Sequence, residues 1–190
     1  MRYKFIVAVL SISAFATPAL ANNVSGARVE AVVGWDDVRL SISEVGNGSR
    51  SGVLFGIGAG YDFGISEKAS IGFDAEFSDS TTKLTVVSGP DSGKLSTGRD
   101  IYVGGRVTTA ISDSFNLYGK VGYTNARLKG STNIGGIVSS AAANGDGIRG
   151  GVGIQAMLGT KTYIGAEYRY SNYEAGFTRN QVAATFGFRF

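Results

Sequence analysis

The stretch QVAATFGFRF, residues 181–190, sets the reading of the whole chain. Val182, Ala184, Phe186, Phe188 and Phe190 fall on every second position, with Ala183, Thr185, Gly187 and Arg189 between them. A period of two is the side-chain period of a β-strand, and here it gathers apolar groups on one face. Three aromatics on that face form a surface that must be covered, not a frayed polar tail.

The same pattern recurs seven times upstream, at residues 27–35, 53–63, 71–77, 101–111, 115–123, 148–158 and 164–170. In the second of these, Val53, Phe55, Ile57, Ala59, Tyr61 and Phe63 share a face. None of the apolar-face positions in the eight runs is charged, although charged residues make up 17 % of the chain. The opposite face holds glycine together with Arg28, Glu30, Asp62, Asp74, Glu76, Asp100, Arg106, Lys120, Arg149, Glu167, Arg169 and Arg189, six acids against six bases. No stretch beyond the first 21 residues shows a helical period. The 29 glycines, 20 Tyr and Phe residues and two prolines fit strands and turns.

Residues 1–21 read differently. Arg2 and Lys4 precede an apolar stretch from Phe5 to Ala16, and Ala19-Leu20-Ala21 gives the small-x-small order of a cleavage site. This is a secretory signal peptide, and its apolar run is shorter than the roughly 18–20 residues of a spanning helix. The expected organisation is a signal peptide over 1–21, cleaved at the Ala19–Ala21 site, and one β domain over 22–190. Loss of Arg2 and Lys4 leaves 16 basic against 15 acidic side chains, so there is no basic footprint for nucleic acid. Cysteine and histidine are both absent, which removes disulfides and the usual transition-metal ligands.

The connections between runs alternate in length. Residues 64–70, 112–114 and 159–163 are short; 36–52, 78–100 and 124–147 are long, and 171–181 is intermediate. Short turns therefore fall on one side and long loops on the other, with both termini on the short-turn side. That is the arrangement of an eight-stranded antiparallel up-and-down transmembrane β-barrel of the outer membrane, with periplasmic turns and external loops. In hydrocarbon every backbone polar group must be paired within the protein, which forces closure. The uncharged face then meets lipid, with Trp35, Tyr61, Phe63, Phe77, Phe115, Tyr123, Tyr168 and Tyr170 at the two interfaces. An eight-stranded barrel is only wide enough for its own side chains. Inward glycines make room for long charged groups, and a lumen charge network of Arg28, Glu30, Asp74, Glu76, Arg106, Lys120, Arg149, Glu167, Arg169 and Arg189 is expected, with Glu30 as the partner of Arg189. The long loops, rich in Ser, Thr, Gly and Asn, read as solvated surface segments.

The signal peptide, the eight runs, the segment GAEYRYSNYE (165–174) and the terminal FGFRF (186–190) resemble the small bacterial outer-membrane β-barrel family. That family includes opacity-type surface antigens, porin-family proteins and barrels similar to the membrane domain of outer membrane protein A. The resemblance implies insertion by the barrel-assembly machinery, which reads a final strand ending on an aromatic residue. The matching residues are Val182, Ala184, Phe186, Phe188 and Phe190. Outer-membrane lipid is the implied environment, and a structural, surface-exposed role is the implied function.

Two motifs suggest other chemistry. GVGIQA (151–156) matches a dinucleotide fingerprint, but it sits inside an alternating run with a turn after it and no helix to open. GPDSGK (89–94) falls one residue short of a phosphate loop, and Leu95 stands where Ser or Thr would hold magnesium. Without histidine no Ser-His or Asp-His mechanism is open, so no enzyme activity, cofactor or metal is expected. Asp74 and Glu76 read as salt-bridge partners. Two further readings stand beside the sealed barrel: a narrow porin-like channel for ions or small solutes, and a soluble lipocalin-like binding barrel with the sheet inverted.

Overall fold

The computed structural model describes residues 24–42, 46–88, 91–174 and 176–190. The expected signal peptide over 1–21 and its expected cleavage site, Ala19 and Ala21, lie outside the described residues. Within them run nine strands: β1 (Gly26–Ile42), β2 (Gly46–Ser66), β3 (Ala69–Ser80), β4 (Lys83–Ser88), β5 (Asp91–Ala110), β6 (Phe115–Ile134), β7 (Ile137–Met157), β8 (Thr162–Tyr173) and β9 (Phe177–Arg189).

Eight of them close a ring. Each of β1, β2, β3, β5, β6, β7, β8 and β9 pairs antiparallel with the next, β9 pairs back with β1, and β4 is a short addition to β5. At the seam the Phe190 amide donates to the Ala27 carbonyl at 2.9 Å, joining the last residue to the first strand. The register fixes the shape. Following paired residues around the ring leads from Arg28 through Gly60, Asp74, Gly104, Gly122, Arg149, Ser171 and Arg179 to Val38, ten residues farther along β1. A stagger of that size over eight strands implies a tilt of about 41° and a backbone radius of about 8 Å.

The sheet is inverted relative to a soluble protein. Ile57 is 67 % exposed and Val121 60 %, while Arg149, Arg169 and Arg179 are fully buried. This excludes the soluble lipocalin-like reading, because a water-soluble barrel would bury the first group and expose the second. At the external end the outward face changes character within one alternation on every strand. Trp35 gives way to Asp37, Val53 to Ser51, Phe77 to Asp79 and Ile101 to Arg99. On the remaining strands Tyr123 gives way to Asn125, Ile148 to Asp146, Tyr170 to Asn172 and Val182 to Asn180. The outward apolar positions run from Phe115 to Tyr123 on β6 and from Val53 to Ile65 on β2. At about 3.3 Å per residue and this tilt these span roughly 20 and 30 Å, bracketing the ~25 Å band of an outer-membrane barrel.

The long external segments are not loops. Residues 36–52, 78–100 and 124–147 are mostly strand, because the ladders continue beyond the membrane: β1 with β2 to Ile42↔Gly46, β4 with β5 to Ser88↔Asp91, β6 with β7 to Ile134↔Ile137. Outside lipid the outward face is wet, so these ribbons carry Ser, Thr and Asn and lose the alternation that marked the runs. Gly135 and Gly136, with φ of 58° and 86°, supply the two left-handed residues that a tight two-residue hairpin needs. GVGIQA lies inside β7, as a strand, and Gly93 and Lys94 lie on β5; residues 89 and 90 of the other motif are outside the described residues.

The boundary can be tested by moving one charge across it. Val121→Arg, on the lipid face, should lower unfolding stability by about 2–4 kcal/mol, and Asn125→Arg, one step above the apolar edge, by only about 0–1 kcal/mol. Reversible urea unfolding in phospholipid vesicles measures both, and equal losses would contradict the assigned boundary.

Candidate functional site: the barrel lumen

Successive inward positions of the ring strands converge on the axis, where, among the described residues, fourteen charged side chains are buried, seven basic and seven acidic. All ten residues of the expected lumen network are among them. Asp36, Asp62, Asp100 and Arg179 complete the set.

At the periplasmic end the register sets Arg28 directly opposite Arg189, two like charges that would repel. Asp62 resolves this, accepting from Arg28 Nε and Arg189 Nη1 at 2.9 Å each. Arg189 therefore pairs with Asp62 and not with Glu30, contrary to the expectation from strand adjacency. Arg28 also bonds Asp74. Glu30 receives Arg28 and Arg106 at 3.4 Å each, and the Tyr163 hydroxyl at 2.7 Å.

In the middle, Glu76 and Glu167 form the hub. Lys120 Nζ lies 2.9 Å from Glu167 and 3.8 Å from Glu76. Arg169 bonds Glu76 at 2.7 Å through Nη1 and Glu167 through Nε. The Tyr118 hydroxyl donates to Glu167 at 2.6 Å, and the Arg106 guanidinium stacks 3.7 Å over the Tyr118 ring. Tyr118 thus joins the periplasmic and central clusters. Asp74 and Glu76 serve as structural partners here, each ringed by cations.

Toward the outside, Arg149 links Glu76 at 3.6 Å to Asp100. Asp100 also takes Arg179 Nη1 at 2.7 Å, the Tyr173 hydroxyl at 2.9 Å and the Thr124 hydroxyl at 2.6 Å. Arg179 grips Asp36 with two nitrogens at 3.0 and 2.7 Å, the planar fork geometry that only arginine offers. Above this pair the Tyr173 and Phe177 rings stack at 4.3 Å and pack with Val38, Ala126 and Leu128 into an apolar cap.

The inward glycines have a more specific use than leaving room for charged groups. A Cβ at Gly104, Gly153 or Gly187 would collide with the ring of Tyr102, Tyr118 or Tyr163 respectively. These rings pack over the glycines of the barrel wall, with the Tyr118 and Tyr163 hydroxyls reaching Glu167 and Glu30. Asp36 and Arg179 were missed because each sits just past its apolar run; extending the alternation one step beyond Trp35, and one inward step before Gln181, finds both.

Among the described residues the arrangement pairs every buried carboxylate with at least one cation. Among the described residues no group of three or more His, Cys, Asp or Glu side chains is placed to hold a metal ion.

The profile of the outer membrane protein beta-barrel domain matches residues 7–190. No curated protein matches the sequence. Among solved structures, the chain is similar to Ail, the attachment invasion locus protein of Yersinia pestis, at 17 % identity and a TM-score of 0.58, over 87 % of this chain and 99 % of that one. It is similar to Neisserial surface protein A at 18 % identity and a TM-score of 0.57, over 87 % and 98 %. The closed ring, the lipid-facing band and the profile match lead to one conclusion: the chain belongs to the outer membrane protein β-barrel family.

Proposed function

We propose that this protein is a sealed, non-catalytic structural barrel that holds an extended β-sheet on the outer surface of the cell. The observation that carries this reading is the lumen itself. Among the described residues, fourteen buried charges of balanced sign, tyrosine rings packed over the wall glycines and an apolar cap at the external end fill the interior. Charge pairing of this density favours rigidity over conduction, because clearing a path would separate several buried charges from their partners at once. The lack of histidine supports the non-catalytic reading.

We also infer that the final strand carries the signal for insertion by the barrel-assembly machinery. Val182, Ala184, Phe186, Phe188 and Phe190 lie on the lipid face of the strand that closes the ring, and Phe188 packs edge-on against Phe190 at 5.0 Å.

Three measurements test these readings. In planar bilayers the purified protein should give no reproducible single-channel openings; steady openings would favour the narrow-channel reading instead. Glu76→Ala removes one carboxylate shared by Lys120, Arg149 and Arg169 and should cost about 3–5 kcal/mol in urea unfolding, since it leaves buried cations without a partner. Deletion of Phe190 should reduce the amount assembled in the outer membrane far more than deletion of one residue from the 135–136 hairpin tip. Equal amounts would remove the special role of the terminal aromatic.

A further inference from the structure

The register also shapes the lipid face. Glu30, Gly58, Glu76 and Tyr102 are directly paired across β1, β2, β3 and β5. All four are inward positions, so on the outer side this row is bare backbone. A row of outward side chains stands above it: Phe186, Ala31, Ile57, Phe77 and Ile101. A second row stands below it: Phe188, Val29, Ala59, Ala75 and Val103. Between the two rows lies a trough of about 680 Å³, within the roughly 300–1,000 Å³ of small-ligand sites. The three alanines widen it, and their phenylalanine, isoleucine and valine neighbours raise its walls. Ile57, Phe77 and Phe186 are each more than half exposed, so the described chain leaves the trough open.

The trough has a direction. Paired rows climb the barrel from β1 through β2 and β3 to β5, as the ten-residue stagger requires. Phe186 lies four residues below Val182, the last apolar outward position of β9, and Ala31 lies four below Trp35 on β1. Phe77 and Ile101 are themselves the last apolar outward positions of β3 and β5. With the tilt given above, the low end sits roughly 10 Å beneath the external apolar edge and the high end reaches it. Half of the ~25 Å band is about 12 Å, so the trough spans one leaflet, from the external interface to the midplane. Along its own length it crosses four strand spacings, about 19 Å, and turns through about 100° of the barrel wall.

This course selects the occupant. A second barrel is rigid and convex. Two such walls touch over about two strands each, roughly 10 Å by 25 Å, or about 250 Å² per copy, against the ~800 Å² per partner of a stable interface. Nor can a convex wall follow a groove that bends. A helix, about 10 Å across, is too wide for rows set two residues, about 7 Å, apart. The occupant must be thin, flexible and apolar, and must reach from the external interface to the midplane. A lipid acyl chain meets all four conditions. We propose that the trough holds one acyl chain of an external-leaflet lipid, entering between Ile101 and Val103 and ending between Phe186 and Phe188. The site recognises hydrocarbon and not the headgroup. Its gain is one of packing, because the lipid that surrounds the barrel is equally apolar. The proposal goes beyond the sealed structural barrel and rests on the membrane placement alone.

The test releases the full folded protein from nanodiscs of dipalmitoylphosphatidylcholine and counts the retained lipids by native mass spectrometry. The unchanged protein should leave the disc carrying one lipid, to the same extent in low and high salt, because no charge is recognised. Ala59→Phe combined with Ala75→Phe fills the trough and should lower the retained fraction about fivefold. Ala166→Phe adds the same ring to the lipid face of β8, away from the trough, and should keep the lipid. Release without lipid, or equal retention in the double variant, would overturn the proposal. So would a dimer that the double variant abolishes, which would assign the trough to a second copy. One measurement needs no variant. Nuclear Overhauser contacts from lipid methylenes should be stronger to the methyls of Ala31, Ala59 and Ala75 than to those of Ala166 and Ala184, which also face lipid. Equal contacts would count against the trough. Entry into the disc with a β-sheet circular dichroism spectrum, recorded for every protein, tests the membrane placement separately. Unchanged protein that stays outside the disc would overturn that placement, and the trough with it.

Discussion

The structure depends on one constraint: no backbone N–H or C=O can be left unpaired in hydrocarbon. Open sheets have edges and cannot meet it. The hydrogen bond from Phe190 to Ala27 and the β9–β1 ladder that it caps are therefore what allow the chain to exist in a bilayer at all. Closure sets the stagger of ten residues, the stagger sets the tilt and radius, and the radius decides that the interior is filled with side chains. The choice of side chains then follows from what fits across about 8 Å of radius: arginine, glutamate and tyrosine, seated against glycine.

Burying so much charge looks expensive. Each ion moved from water loses several kcal/mol of solvation, and only close, saturated pairing returns it. Here the carboxylates are shared, although among the described residues Arg106 Nη2, Arg169 Nη2 and Arg189 Nε and Nη2 are left without a hydrogen-bond partner. Asp62 serves two arginines, Glu76 three cations, and Asp100 two arginines and two hydroxyls. A shared carboxylate tolerates small displacements of any one donor, which isolated pairs do not. Outside the membrane the constraint disappears, and with it the strict in-and-out alternation. The same strands then run on as polar ribbons.

This division explains what was legible in the sequence. Where lipid touches the chain, residue choice is binary, and Val53 to Phe63 or Phe115 to Tyr123 can be read directly. The ten expected lumen charges followed from the same parity. Residues just past the apolar edge, such as Asp36 and Arg179, carry the parity without the apolar partner that advertises it. The extent of β6 and β7 was hidden for a related reason: a wet ribbon of Ser, Thr and Ala on two faces resembles a loop until its ladder is seen. Partner choice was harder still. Arg189 neighbours Glu30 by strand order, yet the stagger carries it to Asp62 on β2, and a stagger cannot be read from any single strand.

The lumen pairs also bear on how the protein forms. Arg179 is 143 residues from Asp36, Tyr163 is 133 from Glu30, and Arg169 is 93 from Glu76. The first four ring strands carry six buried acids and two bases, the last four five buried bases and one acid, so neither half neutralises its own interior. A sheet built halfway in the bilayer would hold carboxylates with too few cations, a cost relieved only as the later strands arrive. Stability therefore arrives only when the last strand docks, which makes insertion an all-or-none event and leaves no low-energy partial barrel to accumulate.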